Sequence, residues 1–362
     1  MNTIRTYNFS AGPAVLPVPV LEEVQRDLVS LPGIGMSVLE ISHRSKIFEK
    51  VLHHAIDNMR ALADIPENYK ILFLQGGASL QFLMVPMNLL LANKTADYIH
   101  TGAWAQKAIK EAKRVGKIHI AATTAADNFS RIPDMSELML TPEAAYVHIT
   151  SNNTIEGTQW QSLPEISGVP LISDASSDIF SRPIDVTRHG LIYAGAQKNL
   201  GPAGVTTVII REDLLARSLD SIPSMLNYKV HASSQSLYNT PPTFGIYVIG
   251  LTIKWLQSLG GLKVIASINK RKAEKLYAEI DRTDFYHGLA AKSDRSLMNI
   301  TFRLPNETLE QQFDKEATVA GLHGLKGHRS LGGIRASIYN AFPEAGIDTL
   351  VDFMQEFEQK NG

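Results

Sequence analysis

One lysine stands where an amine could do covalent chemistry. In Tyr193-Ala-Gly-Ala-Gln197-Lys198-Asn199-Leu-Gly-Pro-Ala-Gly204, an apolar run ends and a lysine leads into a glycine-rich loop. Lysine is costly to desolvate, so at a half-buried strand end it has a special partner or a special task. One such task is Schiff-base formation with an aldehyde, which needs an unprotonated amine and surroundings that depress its pKa. For a lysine taken alone, snorkelling to solvent is the commoner outcome. Asp174, in Ser173-Asp174-Ala-Ser-Ser177, ends a second apolar run. A carboxylate there could pair with a protonated ring nitrogen and make that ring a better electron sink. Capping of a following helix is its plainer use. The two together say more than either alone, because both sit at strand ends of one sheet.

Other residues could complete such a site. Gln75-Gly76-Gly77-Ala78-Ser79 joins an expected strand to an expected helix, and the N–H groups that open the helix make a phosphate cradle. It has neither the G-x-G-x-x-G spacing nor a P-loop lysine, and Gly33-Ile-Gly35 also fails that pattern, so nucleotide binding is poorly supported. Trp104 follows Gly102-Ala103 after another strand and could stack on a flat ring, although tryptophan more often fills a core. Thr154 offers a hydroxyl to the same region, with turn formation as the alternative. His43–Arg44, His328–Arg329 and Arg335 are cations from distant parts of the chain. Arginine matches carboxylate and phosphate through two parallel hydrogen bonds, which suggests recognition of more than one anionic group. For any single arginine a surface ion pair is commoner. The histidines lack metal-ligand spacing, since His53 and His54 are adjacent and no H-E-x-x-H occurs, so no metal site is expected.

The elements that must position these residues follow from hydrophobic periodicity. Strands are expected at Ile71–Gln75, Tyr98–Thr101, Ala145–Thr150, Pro170–Ser173, Leu191–Ala194 and Val205–Ile210, with helices such as Leu80–Leu91 and Trp104–Val115 between them. Alternation of this kind predicts an α/β domain whose largely parallel sheet is covered on both faces. Ligands of such sheets gather beyond the carboxyl ends of the strands, where the loops above lie. After Pro241–Pro242 the texture changes to helices over 244–259 and 262–282. A strand at Met298–Arg303, a helix at Thr308–Ala320, a strand at Gly333–Ile338 and a helix at Asp348–Gln359 follow. A smaller α+β domain is therefore expected to begin near residue 260.

Composition bounds the rest. The 362 residues suit a large domain with a smaller one, and 44% hydrophobic with 20% charged residues is ordinary for a globular chain. The 35 basic and 36 acidic residues nearly cancel, which argues against a general nucleic-acid or membrane-surface binder. There is no cysteine, so disulfides, thiolate nucleophiles and thiolate metal sites are excluded. The amino terminus has no apolar signal region, and the greasiest run, Phe82–Ala92, is short for a membrane span and contains Pro86 and Asn88. A cytoplasmic protein is expected.

Several segments taken together resemble the phosphoserine aminotransferase family: Asn8-Phe-Ser-Ala-Gly-Pro-Ala14, Glu40-Ile-Ser-His-Arg44, the Tyr193–Gly204 segment, Asn239-Thr-Pro-Pro-Thr243 and Gly321-Leu-His-Gly-Leu-Lys-Gly-His-Arg329. The resemblance spans nearly the whole chain. It implies a fold-type I aminotransferase that uses pyridoxal 5′-phosphate and works as a homodimer with shared active sites. Residues 15–260 would form the large cofactor domain, and 1–14 with 261–362 the small one. Lys198 would hold the cofactor as a Schiff base, Asp174 would pair with its ring nitrogen and Trp104 would stack on the ring. Ala78, Ser79, Thr154 and Gln197 would line the cofactor site, and Asn239 and Thr240 would reach its phosphate from the neighbouring subunit. Arg44 would bind substrate, with His43, His328, Arg329 and Arg335 as further candidates. The implied substrates are L-glutamate and a phosphorylated 2-oxo acid, 3-phosphohydroxypyruvate, in serine biosynthesis, with a further use in pyridoxine synthesis in bacterial members. Some members carry arginine where this chain has Ser79, so the distal anion here must be held by other cations. The rival readings are an alanine- or serine-glyoxylate type aminotransferase of the same fold and a non-catalytic cofactor-binding module.

Overall fold

The computed structural model describes residues 5–362. Residues 1–4, part of the 1–14 segment expected in the small domain, lie outside the described residues. Seven strands form the main sheet: β1 (Tyr69–Leu74), β2 (Ala96–His100), β3 (Ile118–Thr123), β4 (Val147–Thr150), β5 (Leu171–Asp174), β6 (Leu191–Gly195) and β7 (Thr206–Arg211). Their order is β1-β7-β6-β5-β4-β2-β3. β7 runs antiparallel to both its neighbours, and the other pairs are parallel. Six strands therefore point the same way, which puts the ends of β1, β2, β4, β5 and β6 along one edge.

Both faces of this sheet are covered, which is why its strands read as continuous apolar runs rather than alternating ones. Ile71, Phe73, Ile192, Ala194 and Ile209 face helices α2 (Lys46–Leu62) and α5 (Thr243–Ser258). Leu72, Leu74, Tyr193, Val208 and Ile210 face the other way, against α3 (Gly77–Leu89) and α4 (Ala103–Val115). Each fully buried side chain of this size contributes roughly 1.5–3 kcal/mol. α4 buries Ala105, Ala108, Ile109 and Ala112, a stripe at helical spacing, and leaves its lysines outside. α2 begins at Ser45, whose hydroxyl accepts from the Phe48 N–H at 3.2 Å.

A second core gathers Phe9 with Leu276, Ile280, Ile300, Phe302, Phe313, Ile334, Leu350 and Phe357. It is built from α6 (Leu262–Ile280), α7 (Glu307–Val319), α8 (Glu344–Asn361) and a small sheet of β8 (His287–Gly288), β9 (Asn299–Arg303) and β10 (Ile334–Ser337). Tyr7–Asn8 pairs in parallel with Leu322–His323, which ties the amino terminus to this unit.

Some boundaries differ from those the sequence suggests. The helix expected from Leu80 starts at Gly77, because Gly76 and Gly77 adopt φ of 88° and 64° and turn the chain within two residues. A Cβ at Gly76 would also lie 2.6 Å from Leu80 Cβ. Strand β3 and helices α1 (Val18–Asp27) and α2 were not expected; β3 is an edge strand with Ile118 and Ile120 only partly covered, so its apolar signal is weak.

Candidate active site

Above the carboxyl edge of the sheet lies a cavity of about 120 Å³. The first turn of α3 gives it Gly77, Ala78 and Ser79, and α4 gives Trp104. The end of β4 and the segment after it add Thr150, Asn152 and Thr154, the end of β5 and the turn after it add Asp174, Ser176 and Ser177, and the loop after β6 adds Gln197 and Lys198. Seven of the expected residues, Ala78, Ser79, Trp104, Thr154, Asp174, Gln197 and Lys198, thus meet around one space.

The electrostatics of this space follow from burial. Lys198 Nζ donates to Thr154 Oγ1 at 2.5 Å and lies 5.7 Å from the Trp104 ring centre. Desolvation pulls its pKa down from the ordinary lysine value to about 8; Asp174 and Asp178 pull it up, and the Arg335 guanidinium pulls it down further. Asp174 is buried, and that burial pushes its pKa up, although its Oδ1 accepts from the Ser176 N–H at 3.0 Å. Ser176 is fixed in turn, its Oγ accepting from the Gly195 N–H at 3.1 Å. A buried carboxylate gains from a cationic partner, and a protonated ring nitrogen is such a partner.

The residues fit pyridoxal phosphate. The cavity holds an aldehyde-reactive amine at depressed pKa, a buried carboxylate and an indole face. Trp104 Nε1 and Thr150 Oγ1 are buried without a hydrogen-bond partner among the described residues, so the walls hold polar capacity that a ligand could use. The opening turn of α3 presents N–H groups for an anion.

The loop that carries Lys198 is held from outside the main sheet. The Ala14 N–H donates to the Gln197 carbonyl at 2.8 Å, and Tyr339 Oη donates to the Ala11 carbonyl at 2.7 Å. Asn340 N–H donates to Asn199 Oδ1 at 3.0 Å. The Asn8–Ala14 segment therefore buttresses the loop that carries Lys198.

The candidate cations divide. Arg335, on β10, is half-buried and donates through Nη1 to the Thr154 carbonyl at 3.4 Å, so it belongs to the same centre. His328 and Arg329 line a separate cavity of about 400 Å³ with Glu307, Glu310 and Asp314. Burial and the charges of Arg335, Arg329 and Lys107 lower the pKa of His328, which places these cations in one field. Lys107, which the sequence reading missed, stands 4.0 Å over the Trp104 ring from one helical turn away. His43, half-buried, and Arg44, exposed, do not line the Lys198 cavity of their own chain. Neither do Asn239 and Thr240, although the Thr240 carbonyl accepts from Gln75 Nε2 at 3.1 Å beside the Gly76–Gly77 turn.

Glu156 was also missed. It is 6% exposed, and its Oε1 accepts from the Ala103 N–H at 2.8 Å, the first turn of α4. Nothing in its local sequence distinguishes it from a surface glutamate in a turn; only the fold brings it to α4.

A mostly parallel α/β sheet that gathers a lysine, an aspartate and an indole at its carboxyl edge is the fold of fold-type I aminotransferases. The chain belongs to the class-V aminotransferase family, which it matches over residues 6–350. It is 56% identical over 360 residues to the phosphoserine aminotransferase of Desulfosudis oleivorans, covering 99% of each chain. The solved phosphoserine aminotransferase from Bacillus circulans subsp. alkalophilus superposes with a TM-score of 0.98, at 51% identity and 99% coverage of both chains. The pyridoxal-phosphate-bound phosphoserine aminotransferase from Trichomonas vaginalis superposes at 0.93, with 38% identity, 97% of this chain and 100% of that one.

Proposed function

We propose that this chain is a pyridoxal-phosphate-dependent phosphoserine transaminase. It moves the amino group of L-glutamate to 3-phosphohydroxypyruvate, giving O-phospho-L-serine and 2-oxoglutarate, and the reverse. The full-length identity to phosphoserine aminotransferases carries this reading. Bound pyridoxal phosphate supplies an electron-withdrawing ring that stabilises negative charge at the substrate Cα.

The roles of the chain's own residues follow from their chemistry. Lys198 reacts as the free amine, which its depressed pKa makes available near neutral pH, and it then carries the proton to and from the substrate Cα. Thr154 orients that amine. Asp174 supplies the buried negative charge that holds a ring nitrogen protonated, and Trp104 covers the ring face. The N–H groups at Ala78 and Ser79 take the cofactor phosphate, with Gln197 beside them. Arg335 takes the α-carboxylate, and the His43–Arg44 and His328–Arg329 pairs take the distal phosphate.

We further infer a homodimer with shared sites. His43–Arg44 follow the exposed apolar side chains of Leu28, Val29, Met36 and Leu39, and Asn239–Thr240 follow Leu219, Met225 and Tyr238. Neither group lines the Lys198 cavity of its own chain, and each follows in sequence exposed apolar side chains that a second copy would cover. In this arrangement Asn239 and Thr240 reach the neighbouring cofactor phosphate. The division into 15–260, and 1–14 with 261–362, is supported by the second core, which joins Phe9 to residues 273–357. Cytoplasmic residence is part of the same reading; among the described residues no single helix is long and apolar enough to cross a membrane.

Acceptor competition tests the substrate assignment. With glutamate as donor, 3-phosphohydroxypyruvate should be used in strong preference to pyruvate and glyoxylate. Preference for glyoxylate would replace the reading with the alanine- or serine-glyoxylate type.

A further inference from the structure

The segment 152–158 carries Asn152 and Thr154 of the cavity wall, and its other side lies against the small sheet. Alternate residues of a strand share a face, and β9 pairs with β10 so that Asn299 stands opposite Ser337 and Thr301 opposite Arg335. These four side chains therefore lie on one face of the small sheet. Three of them meet the segment. Thr301 Oγ1 donates to the Glu156 carbonyl at 3.1 Å, Arg335 Nη1 donates to the Thr154 carbonyl at 3.4 Å, and Asn299 Oδ1 accepts from Asn152 Nδ2 at 2.8 Å. The approach is close enough to need glycine at 157, whose φ is 80° and where a Cβ would collide with Thr301 Oγ1.

The Asn152–Asn299 amide pair is the centre of this seam, and its hydrogen bonds can run only one way. Ser296 Oγ accepts from the Met298 and Asn299 N–H groups at 3.0 and 2.9 Å, so its own hydrogen is left for Asn152 Oδ1, at 2.5 Å. Asn152 must then turn its N–H groups to Asn299 Oδ1 and to Ser177 Oγ, each at 2.8 Å. Tyr339 Oη is likewise committed, because its hydrogen goes to the Ala11 carbonyl at 2.7 Å. Asn299 Nδ2 donates to Tyr339 Oη at 3.1 Å and to Ser337 Oγ at 2.9 Å. Asn152 is 2% exposed and Asn299 0%, and each uses both N–H groups of its amide. A buried amide is costly to leave half paired, so the network holds a single arrangement.

We propose that Asn299 is a positioning residue for the amino-acid substrate, whose side-chain amide locks the face of the small sheet bearing Arg335 onto the wall of the Lys198 cavity. It touches neither substrate nor cofactor, and it does not line that cavity. Through Asn152 it is joined to the cavity wall, and through Ser337 to β10, two residues from Arg335. Through Tyr339 it is joined to the Asn8–Ala14 segment that braces the Lys198 loop. Backbone pairing fixes Arg335 within the small sheet; the seam fixes that sheet relative to Lys198. A guanidinium holds a carboxylate through two parallel hydrogen bonds, so a small tilt of the sheet weakens recognition before it weakens the fold. The proposal rests on the reading above that Arg335 takes the α-carboxylate.

The test uses the holoenzyme and reads the glutamate KM, cofactor absorbance and melting temperature together. Asn299→Leu keeps a branched side chain and removes every hydrogen bond it makes. It should raise the glutamate KM about tenfold, the size of one charge-assisted contact, with cofactor absorbance as in the parent. Asn299→Ser keeps a hydroxyl that cannot span Asn152 and β10 together, and should raise KM about threefold. If Asn299→Leu fails to fold, Asn299→Ser decides. A lowered melting temperature with parent-like KM would overturn the proposal and leave Asn299 as support for the core. Arg335→Ala is the reference. If it leaves the glutamate KM unchanged, the role of Arg335 fails and this proposal falls with it. If Arg335→Ala raises KM while the Asn299 variants do not, the Asn299 proposal alone is overturned. Combining Asn299→Leu with Arg335→Ala should add little to Arg335→Ala; full additivity would also overturn it.

Discussion

The amine of Lys198 donates to the hydroxyl of Thr154 across 2.5 Å. The carbonyl of the same threonine accepts from Arg335 at 3.4 Å, so one residue touches both the Lys198 amine and the proposed carboxylate-binding cation. An error in placing Thr154 would disturb chemistry and recognition together.

The first prediction concerns the titration of that amine. An ordinary lysine is half neutral near pH 10.4, whereas burial brings Lys198 down to about 8. The neutral, reactive fraction therefore rises with pH and levels off above about 8 rather than above 10. In the apoprotein, the rate at which an aldehyde plus reductant modifies the Lys198 peptide should follow that curve. A midpoint near 10 would show that the amine is solvated and not tuned.

Replacing Asp174 with Asn should act on two observables. Asp174 holds the Lys198 pKa up, so in the apoprotein the Lys198 midpoint should fall below that of the parent. With cofactor, an amide cannot stabilise a charged ring nitrogen, so single-turnover rates should drop by orders of magnitude while folding is little changed. Parent-like single-turnover rates would leave Asp174 as no more than a turn residue bonded to the Ser176 N–H.

How much of this was legible in the sequence depends on whether the signal is local. Lys198, Asp174, Gly76–Gly77 and Trp104 end or follow apolar runs, and the sheet puts such ends along one edge, so their meeting was readable. Glu156 and Lys107 were not, because a turn glutamate and a helix-surface lysine acquire meaning only from what packs against them. Strand β3 and helix α2 were missed as well. β3 is half-exposed at the sheet edge, whereas the α2 stripe of Phe48, Leu52, Ala55 and Met59 keeps plain helical spacing and was open to the same periodicity argument as α4. His43–Arg44 and Asn239–Thr240 were flagged as motifs, yet one chain does not bring them to its own cavity.

Arg329→Ala separates the two anionic ends of the substrate. Losing one charge-assisted contact should cost roughly 1.5–3 kcal/mol, about tenfold or more in binding. The loss should appear as a higher KM for 3-phosphohydroxypyruvate and O-phosphoserine, with unphosphorylated analogues and cofactor absorbance little affected. Equal losses for both substrate types would leave Arg329 as support for the cavity it lines with Glu307, Glu310 and Asp314.

Subunit complementation addresses the shared site. Arg44→Ala and Lys198→Ala chains should each be nearly inactive alone. If Arg44 serves the neighbouring subunit's Lys198, mixed dimers contain one intact site and activity returns on mixing and exchange. No recovery, in mixtures where exchange is verified by mass, would place Arg44 in its own chain's chemistry.

The most direct measurement follows the nitrogen atom itself. The holoenzyme is incubated with ¹⁵N-labelled L-glutamate and 3-phosphohydroxypyruvate, and the products are identified by mass spectrometry. The account predicts O-phosphoserine carrying the label, formed in equal amount with 2-oxoglutarate, and abolished by Lys198→Ala. Absence of labelled O-phosphoserine from active, cofactor-loaded protein, or its undiminished formation by Lys198→Ala, would contradict it.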